Sequence, residues 1–196
     1  MTAADTTVSD RKARIRQEVL ALRDALPPAV RAAAAESIAA RPFPIRTEPG
    51  VVTSGFSPMK SEINPVPLMR KLADNGARLA LPVIAGRGKA LIMRAWNFGD
   101  PLVSGQWGIR EPAGEAPEVA PDILLVPLAA FDRTGHRIGY GAGYFDMTIN
   151  ALRSKKRVTA VGIAFAAQEI PSVPITERDA RLDLVLTERE IIDFRA

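Results

Sequence analysis

Between Phe131 and Asp146 the chain reads Phe-Asp-Arg-Thr-Gly-His-Arg-Ile-Gly-Tyr-Gly-Ala-Gly-Tyr-Phe-Asp. Gly139, Gly141 and Gly143 stand at alternate positions just before a segment of helical character, with Arg137 ahead of them and Asp146 behind. Glycine lets the main chain take left-handed turns and come close to a ligand. Consecutive N–H groups at such a bend converge on an anion, and the positive end of the following helix adds to the attraction. An arginine contributes fixed charge for phosphate, and an aspartate in that setting suits a magnesium ion that bridges phosphates. The spacing is not the G-x-G-x-x-G of dinucleotide folds, and no Gly-Lys-Ser/Thr follows as in a Walker A loop. Taken alone, the triplet fits a strained strand-to-helix turn as well as it fits a nucleotide-phosphate site.

A second charged group lies near the N-terminus. Lys12 and Arg16 are four residues apart, so on a helix they share a face and can reach one polyphosphate, although the same pattern describes a solvated basic face. Elsewhere the composition restricts the chemistry. Cysteine is absent, so there is no disulfide framework and no thiolate ligand or nucleophile, which fits a reducing cytoplasm. Residues Met1–Asp10 are polar and do not read as a secretory signal, and no apolar run is long enough to span a bilayer. The excess of basic over acidic residues, 26 against 22, favours small anionic ligands but is too slight to argue for nucleic acid. Aromatic residues make up 6%, and none of the basic-aromatic interleaving of RNA-binding sheets is seen.

The positioning elements follow from periodicity. Ile15, Val19, Leu22 and Leu26 recur at helical spacing, which predicts an amphipathic helix from an N-cap at Ser9 to the stop at Pro27-Pro28. An alanine-rich helix over 29–40 and a helix from Pro65 through Leu72 follow. Strands are expected at 51–56, 78–84, 90–96, 123–127, 158–165 and 182–187. The segment after the glycines, 144–154, reads as a helix, and 188–194 as a final short one. Residues 97–122 are rich in Gly and Pro and lack periodicity, which marks a functional loop. Alternating strands and helices predict an α/β fold: a three-layer α/β/α sandwich around a mostly parallel or mixed sheet. One domain over 9–196 is expected, preceded by a disordered tail over 1–8.

The glycine-rich run resembles the hallmark of the 5-formyltetrahydrofolate cyclo-ligase family (5,10-methenyltetrahydrofolate synthetase), Phe-Asp-x-x-Gly-x-Arg-Leu-Gly-x-Gly-x-Gly-Tyr-Tyr-Asp. Other segments match in the family's order. Lys12-Ala13-Arg14-Ile15-Arg16, with Arg23 after it, is similar to the N-terminal Lys-x-x-Leu-Arg element, and Ser57 through Ile63 to the segment around a Glu-Ile pair. Leu81-Pro82-Val83, Trp107 through Pro112, Asp122 through Pro127 and Pro174 through Glu188 also have counterparts, so the resemblance covers nearly the whole chain after Ser9.

The resemblance implies an ATP- and magnesium-dependent closure of 5-formyltetrahydrofolate to 5,10-methenyltetrahydrofolate, on the architecture shared by sugar-phosphate isomerases and CoA transferases. It implies ATP binding by Lys12, Ala13, Arg14, Ile15 and Arg16, and by Arg137, Ile138, Gly139, Tyr140, Gly141, Ala142, Gly143, Tyr144 and Phe145. Arg137 and Asp146 are the implied catalytic groups. Asp146 and Asp179 are the implied magnesium ligands, with Asp183 an alternative to the latter. Ser57, Glu62, Trp107, Tyr140 and Tyr144 are implied to contact the reduced folate. The expected protein is a cytoplasmic monomer acting on small molecules, with neither nucleic acid nor membrane as partner. His136, the only histidine, reads as a bystander, since the matching family position is variable and the chemistry needs no imidazole. Phe145, Ala142, Met147 and Arg178 depart from the family's usual residues. Two other readings of the chain are an isomerase or transferase of similar fold acting on a sugar phosphate or CoA ester, and a nucleotide- or RNA-binding module without turnover.

Overall fold

The computed structural model describes the backbone of residues 3–195 and the side chains of 7–195. The chain opens with two helices, α1 (Ala3–Asp24) and α2 (Pro28–Ala40), then strand β1 (Val52–Ser54), helix α3 (Val66–Asp74) and strands β2 (Arg78–Val83) and β3 (Ile92–Ala95). Three short hairpin strands and a central one follow in the order β4 (Leu102–Ser104), β5 (Arg110–Pro112), β6 (Ile123–Pro127) and β7 (Ala130–Phe131). Strand β8 (Arg137–Ile138) leads into helix α4 (Tyr144–Arg153), and β9 (Thr159–Ile163), β10 (Leu184–Leu186) and β11 (Ile191–Asp193) complete the chain.

Seven strands form one sheet in the order β11-β10-β9-β6-β1-β2-β3. Its five inner strands run parallel, and the edges β3 and β11 pair antiparallel. The inner strands are largely apolar on both faces, as a parallel sheet covered by helices requires, with Thr53 and Ser54 of β1 the buried polar exceptions. Along β6 the side chains alternate: Ile123 and Leu125 enter the core packed by Ala34, Ala35 and Ile38 of α2 and Leu68 and Leu72 of α3, whereas Leu124 and Val126 enter the core packed by Ile149 of α4. The expected α/β/α layering is thus present. A third cluster, with Val19 of α1 against Ala130, Ile138 and Val173, seats the first helix on the β7–β8 hairpin.

Helix α1 departs from its expected form in two ways. It begins by Ala3, so Ser9 lies inside it rather than capping it, and residues 3–8 of the expected tail are helical; Met1 and Thr2 lie outside the described residues. In its last turn the inward position is Arg23, 3% exposed, and Leu22 is 61% exposed. Stepping four residues from Val19 keeps to the buried side, and Arg23 finds polar partners there, described below. The segment expected as a final helix is instead strand β11. The Thr187 hydroxyl accepts bonds from the Arg189 and Glu190 N–H groups, forming a tight turn, and the β-branched Ile191-Ile192 pair then returns along β10.

The turn between β7 and β8 is organised by Asp132, which is buried. Its carboxylate accepts bonds from the N–H groups of Thr134 (2.9 Å), His136 (3.2 Å) and Val173 (2.8 Å), and from the Thr134 hydroxyl (2.6 Å). Burial pushes this carboxyl up, but the donors outweigh it and hold it below the usual aspartate value. Asp132→Ala strands those donors, and we expect a loss of about 1–3 kcal/mol in unfolding free energy, read by urea denaturation at neutral pH. Because the folded-state value is depressed, the stabilisation is present above the unfolded-state value of about 3.9 and is lost as pH falls through the folded one. Wild type and variant should therefore converge in acid; equal stability at neutral pH contradicts this role.

Candidate functional site

From β1 the chain builds the sheet outward through β2 to β3, then returns to the other side of β1 with β6. The carboxyl ends of β1 and β6 therefore flank a topological switch point, where open α/β sheets form clefts. A cavity opens there, lined among others by Phe56 just beyond β1, Pro127 and Leu128 at the end of β6, and Ile163 at the end of β9. Arg23, Glu62, Tyr140 and Gln168 supply its polar groups.

The glycine run crosses the mouth of this cleft between β8 and α4. Gly141 has φ +104° and Gly143, at the N-terminus of α4, has φ +69°. Helix α1 pins the run from outside. Arg16 Nε donates to the Gly139 carbonyl at 2.7 Å, and the Arg16 guanidinium lies 3.8 Å from the position a side chain at Gly141 would take. Burial lowers the Arg16 pKa below its ordinary value, and the group stays cationic at neutral pH. One turn earlier, Lys12 pairs with Asp179 at 2.5 Å. Lys12 and Arg16 thus act on one face, as their spacing predicts. Arg14 does not join them: it is exposed and faces Glu18 at 3.9 Å on the same helix. Ala13 is also exposed, and Ile15 packs towards the hairpin.

Arg137 is buried. Its guanidinium donates to the Ala180 carbonyl at 2.5 Å and pairs with Asp146 Oδ1 at 2.9 Å, while its Nε has no partner. Burial pulls its pKa down, opposed mainly by the Asp146 carboxylate and also by that of Asp179. Asp146 Oδ1 also accepts the Ala180 N–H at 3.0 Å. The structure thus makes Arg137 a brace that fixes Asp146 against the backbone at Ala180. Asp179 Oδ2 accepts the Thr176 N–H at 2.6 Å and the Lys12 ammonium. In both carboxylates these bonds fall on a single oxygen, Oδ1 of Asp146 and Oδ2 of Asp179, which leaves the other oxygen of each for a hard cation. Asp183 is engaged elsewhere, accepting Arg153 and the Ala160 N–H at 2.7 Å each. Among the described residues no group of three or more His, Asp or Glu side chains forms a metal cage; magnesium typically takes one or two carboxylates and completes its shell with phosphate and water.

The 57–63 segment adds Glu62 and Ile63 to the lining, and the 97–122 region approaches α4 through Trp107. That region, which reads from its lack of periodicity as a functional loop, holds a hairpin, β4–β5. Trp107 sits at its tip, 62% exposed and with φ +58°. It is not a core residue: its ring lies 6.2 Å from that of Tyr144 at 51°, on the first turn of α4. Ser57 Oγ donates to the Arg110 carbonyl, tying the flap to the strand-β1 side. Glu62 accepts the Met59 N–H at 2.7 Å; burial raises its pKa, opposed by a hydrogen bond from Tyr140 and by the Arg23 charge. Phe145 packs into the core beside α4, so the position that departs from tyrosine is apolar in use. Ala142 and Arg178 are exposed and Met147 is half-buried. His136 bonds the Thr134 hydroxyl at 2.8 Å in the β7–β8 turn.

Besides the β4–β5 hairpin, two features of the site are not visible in the sequence. The β7–β8 hairpin is too short for periodicity to reveal. Arg23 was quoted only as a follower of the N-terminal element; its seven-residue spacing from Arg16, two helical turns, is the signal that places it on the same face.

Comparison with known proteins gives a consistent result. Residues 8–188 match the model of the 5-formyltetrahydrofolate cyclo-ligase family. A 5-formyltetrahydrofolate cyclo-ligase of Mycolicibacterium smegmatis is 30% identical over 94% of this chain and 97% of its own length. That of Escherichia coli K12 is 31% identical over 71% of this chain and 79% of its own. Among solved structures, the 5,10-methenyltetrahydrofolate synthetase of Aquifex aeolicus superposes with a TM-score of 0.77 at 27% identity, over 94% of this chain and 93% of that one.

The backbone of the glycine run yields a contrast between two positions. A side chain would meet no atom within 4 Å at either Gly139 or Gly143, but only Gly143 has a left-handed φ. We expect Gly143→Ala to cost about 1–2 kcal/mol and Gly139→Ala to stay within about 0.5 kcal/mol of wild type, both read by urea denaturation. Equal effects would show that the left-handed bend does not govern this run.

Proposed function

This chain belongs to the 5-formyltetrahydrofolate cyclo-ligase family, and we propose that the cleft between α1, the glycine run and the Trp107 flap is where it carries out that family's reaction. The reaction is the ATP-dependent closure of 5-formyltetrahydrofolate to 5,10-methenyltetrahydrofolate, with release of ADP and phosphate. The single observation that carries the placement is the pinning of Gly139 by Arg16 beside the Lys12–Asp179 pair, which gathers cations and free backbone N–H groups at one loop.

The formyl oxygen is a poor leaving group because it belongs to an amide-like carbon. Transfer of the γ-phosphoryl group to that oxygen converts it to a phosphate ester. N10 of the same folate then adds to the carbon, its proton departs, and phosphate leaves with the electrons of the C–O bond. Both reacting centres belong to the substrates, so the protein contributes position and charge rather than a nucleophile. In this reading Lys12 and Arg16 hold the polyphosphate from the α1 side. The N–H groups between Gly139 and Phe145 hold it from the loop side. Arg137 keeps Asp146 in place and adds positive charge. Asp146 and Asp179 would hold magnesium through their remaining oxygens, and the ion would supply positive charge to offset that of the phosphates. Glu62 and Ser57 lie on the folate side, and Trp107 with Tyr144 offers flat faces to its rings.

The test mixes the protein with 5-formyltetrahydrofolate, magnesium and ATP and follows the near-ultraviolet absorbance of the methenyl product. We expect an ATP-dependent rise. Asp146→Asn should reduce kcat at least about a hundredfold, as the loss of one charge-stabilising group does, with the fold intact by circular dichroism. Trp107→Ala should raise the folate KM more than the ATP KM. Absence of an ATP-dependent signal from folded protein contradicts the activity; unchanged kinetics in Asp146→Asn removes that residue from the site.

A further inference from the structure

Arg23 is a buried cation without a close carboxylate partner. The nearest carboxylate, that of Asp24, is 3.9 Å away and more than half exposed, and it accepts the Ser61 hydroxyl. Its Nε donates to Ser61 Oγ at 3.0 Å, and one terminal nitrogen donates to the Tyr140 hydroxyl at 2.5 Å. The guanidinium carbon also lies 5.7 Å from the centre of the Tyr140 ring. Desolvating a guanidinium is costly, and the adjacent Leu22 would fill an apolar position but faces solvent instead. A cation kept in such a place, at the wall of a cleft and among its polar groups, points to the site rather than to packing.

Its partners fall on the folate side. Ser61 precedes Glu62 in the chain, and Tyr140 bonds Glu62 as well as Arg23. Tyr140 is 44% exposed, yet its hydroxyl lines the cavity, where its single proton can go either to Glu62 or to the Leu128 carbonyl 3.3 Å away. Gly139, the residue before Tyr140, is the one pinned by Arg16. One helix therefore holds adjacent residues of the glycine run: the backbone of one on the nucleotide side, and the side chain of the next on the folate side. Resting on the function proposed above, we propose that Arg23 is a positioning residue for the reduced folate, setting Tyr140 and, through it and Ser61, the Glu62 carboxylate.

The experiment compares Arg23→Gln, Arg23→Lys and Tyr140→Phe, alone and combined. With ATP saturating, Arg23→Gln should raise the folate KM about tenfold or more while the ATP KM changes less than about threefold, because a site-specific contact is lost without loss of the fold. Arg23→Lys, which keeps the charge, should recover part of that loss. Because Arg23 acts through Tyr140, adding Arg23→Gln to Tyr140→Phe should worsen the folate KM by no more than about twofold. Calorimetric binding of 5-formyltetrahydrofolate without ATP gives a readout independent of turnover, and Arg23→Gln should weaken it by a similar factor. Equal rises in both KM values that track a fall in thermal midpoint, full additivity with Tyr140→Phe, or unchanged folate affinity would each overturn the proposal. If Arg23→Gln does not fold, the same comparisons are made with Arg23→Lys. Folate binding that is normal in wild type but not followed by turnover would count against the activity and not against Arg23.

Discussion

The grip of helix α1 on the glycine run is the constraint on which the rest of the site depends. A stretch with three alternate glycines has little shape of its own, since glycine loses more conformational freedom on ordering than any other residue. The shape is imposed from outside. Arg16 holds the Gly139 carbonyl, Arg23 holds the Tyr140 hydroxyl, and Lys12 holds Asp179 across the cleft. These three cations lie on one side of a helix that is itself seated, through Val19 and Ile15, on the β7–β8 hairpin leading into the run. Packing and charge therefore act on the same few residues.

Charge balance helps hold the arrangement together. Asp146 is paired with Arg137, and Asp179 with Lys12. Arg137 is almost fully enclosed, so replacing Asp146 by a residue that cannot accept its hydrogen bond, as Asn still can, would strand a buried charge, at a cost of about 3–5 kcal/mol where such pairs have been broken. Lys12 is different: its side chain and that of Asp179 are 14% and 16% exposed, so neither member of that pair is enclosed as Arg137 is.

Much of this was legible in the sequence because it rests on local chemistry. The glycine spacing, the Lys12–Arg16 face and the unbroken apolar run of β6 each state their structural role directly. What could not be read depended on tertiary partners. Periodicity placed Leu22 inward, and only Tyr140 and Ser61, distant in the chain, make Arg23 the better occupant. Arg137 reads as a phosphate ligand until the Ala180 carbonyl and Asp146 are seen to enclose it. The last segment carries helix-compatible residues, but the edge of β10 offers Ile191 and Ile192 a place to pair, and sheet formation overrides propensity there. The Trp107 hairpin was missed because its strands are three residues each, too short to show alternation.

The central claim is that α1 and the glycine run together form the seat of the nucleotide. Hydrogen exchange measured with and without Mg·ATP tests it most directly. The account predicts slowed exchange at the amides of residues 139–145 and along α1 from Lys12 to Arg23, together rather than separately. Protection confined to other parts of the sheet, or slowed exchange in the run with none in the helix, would contradict it.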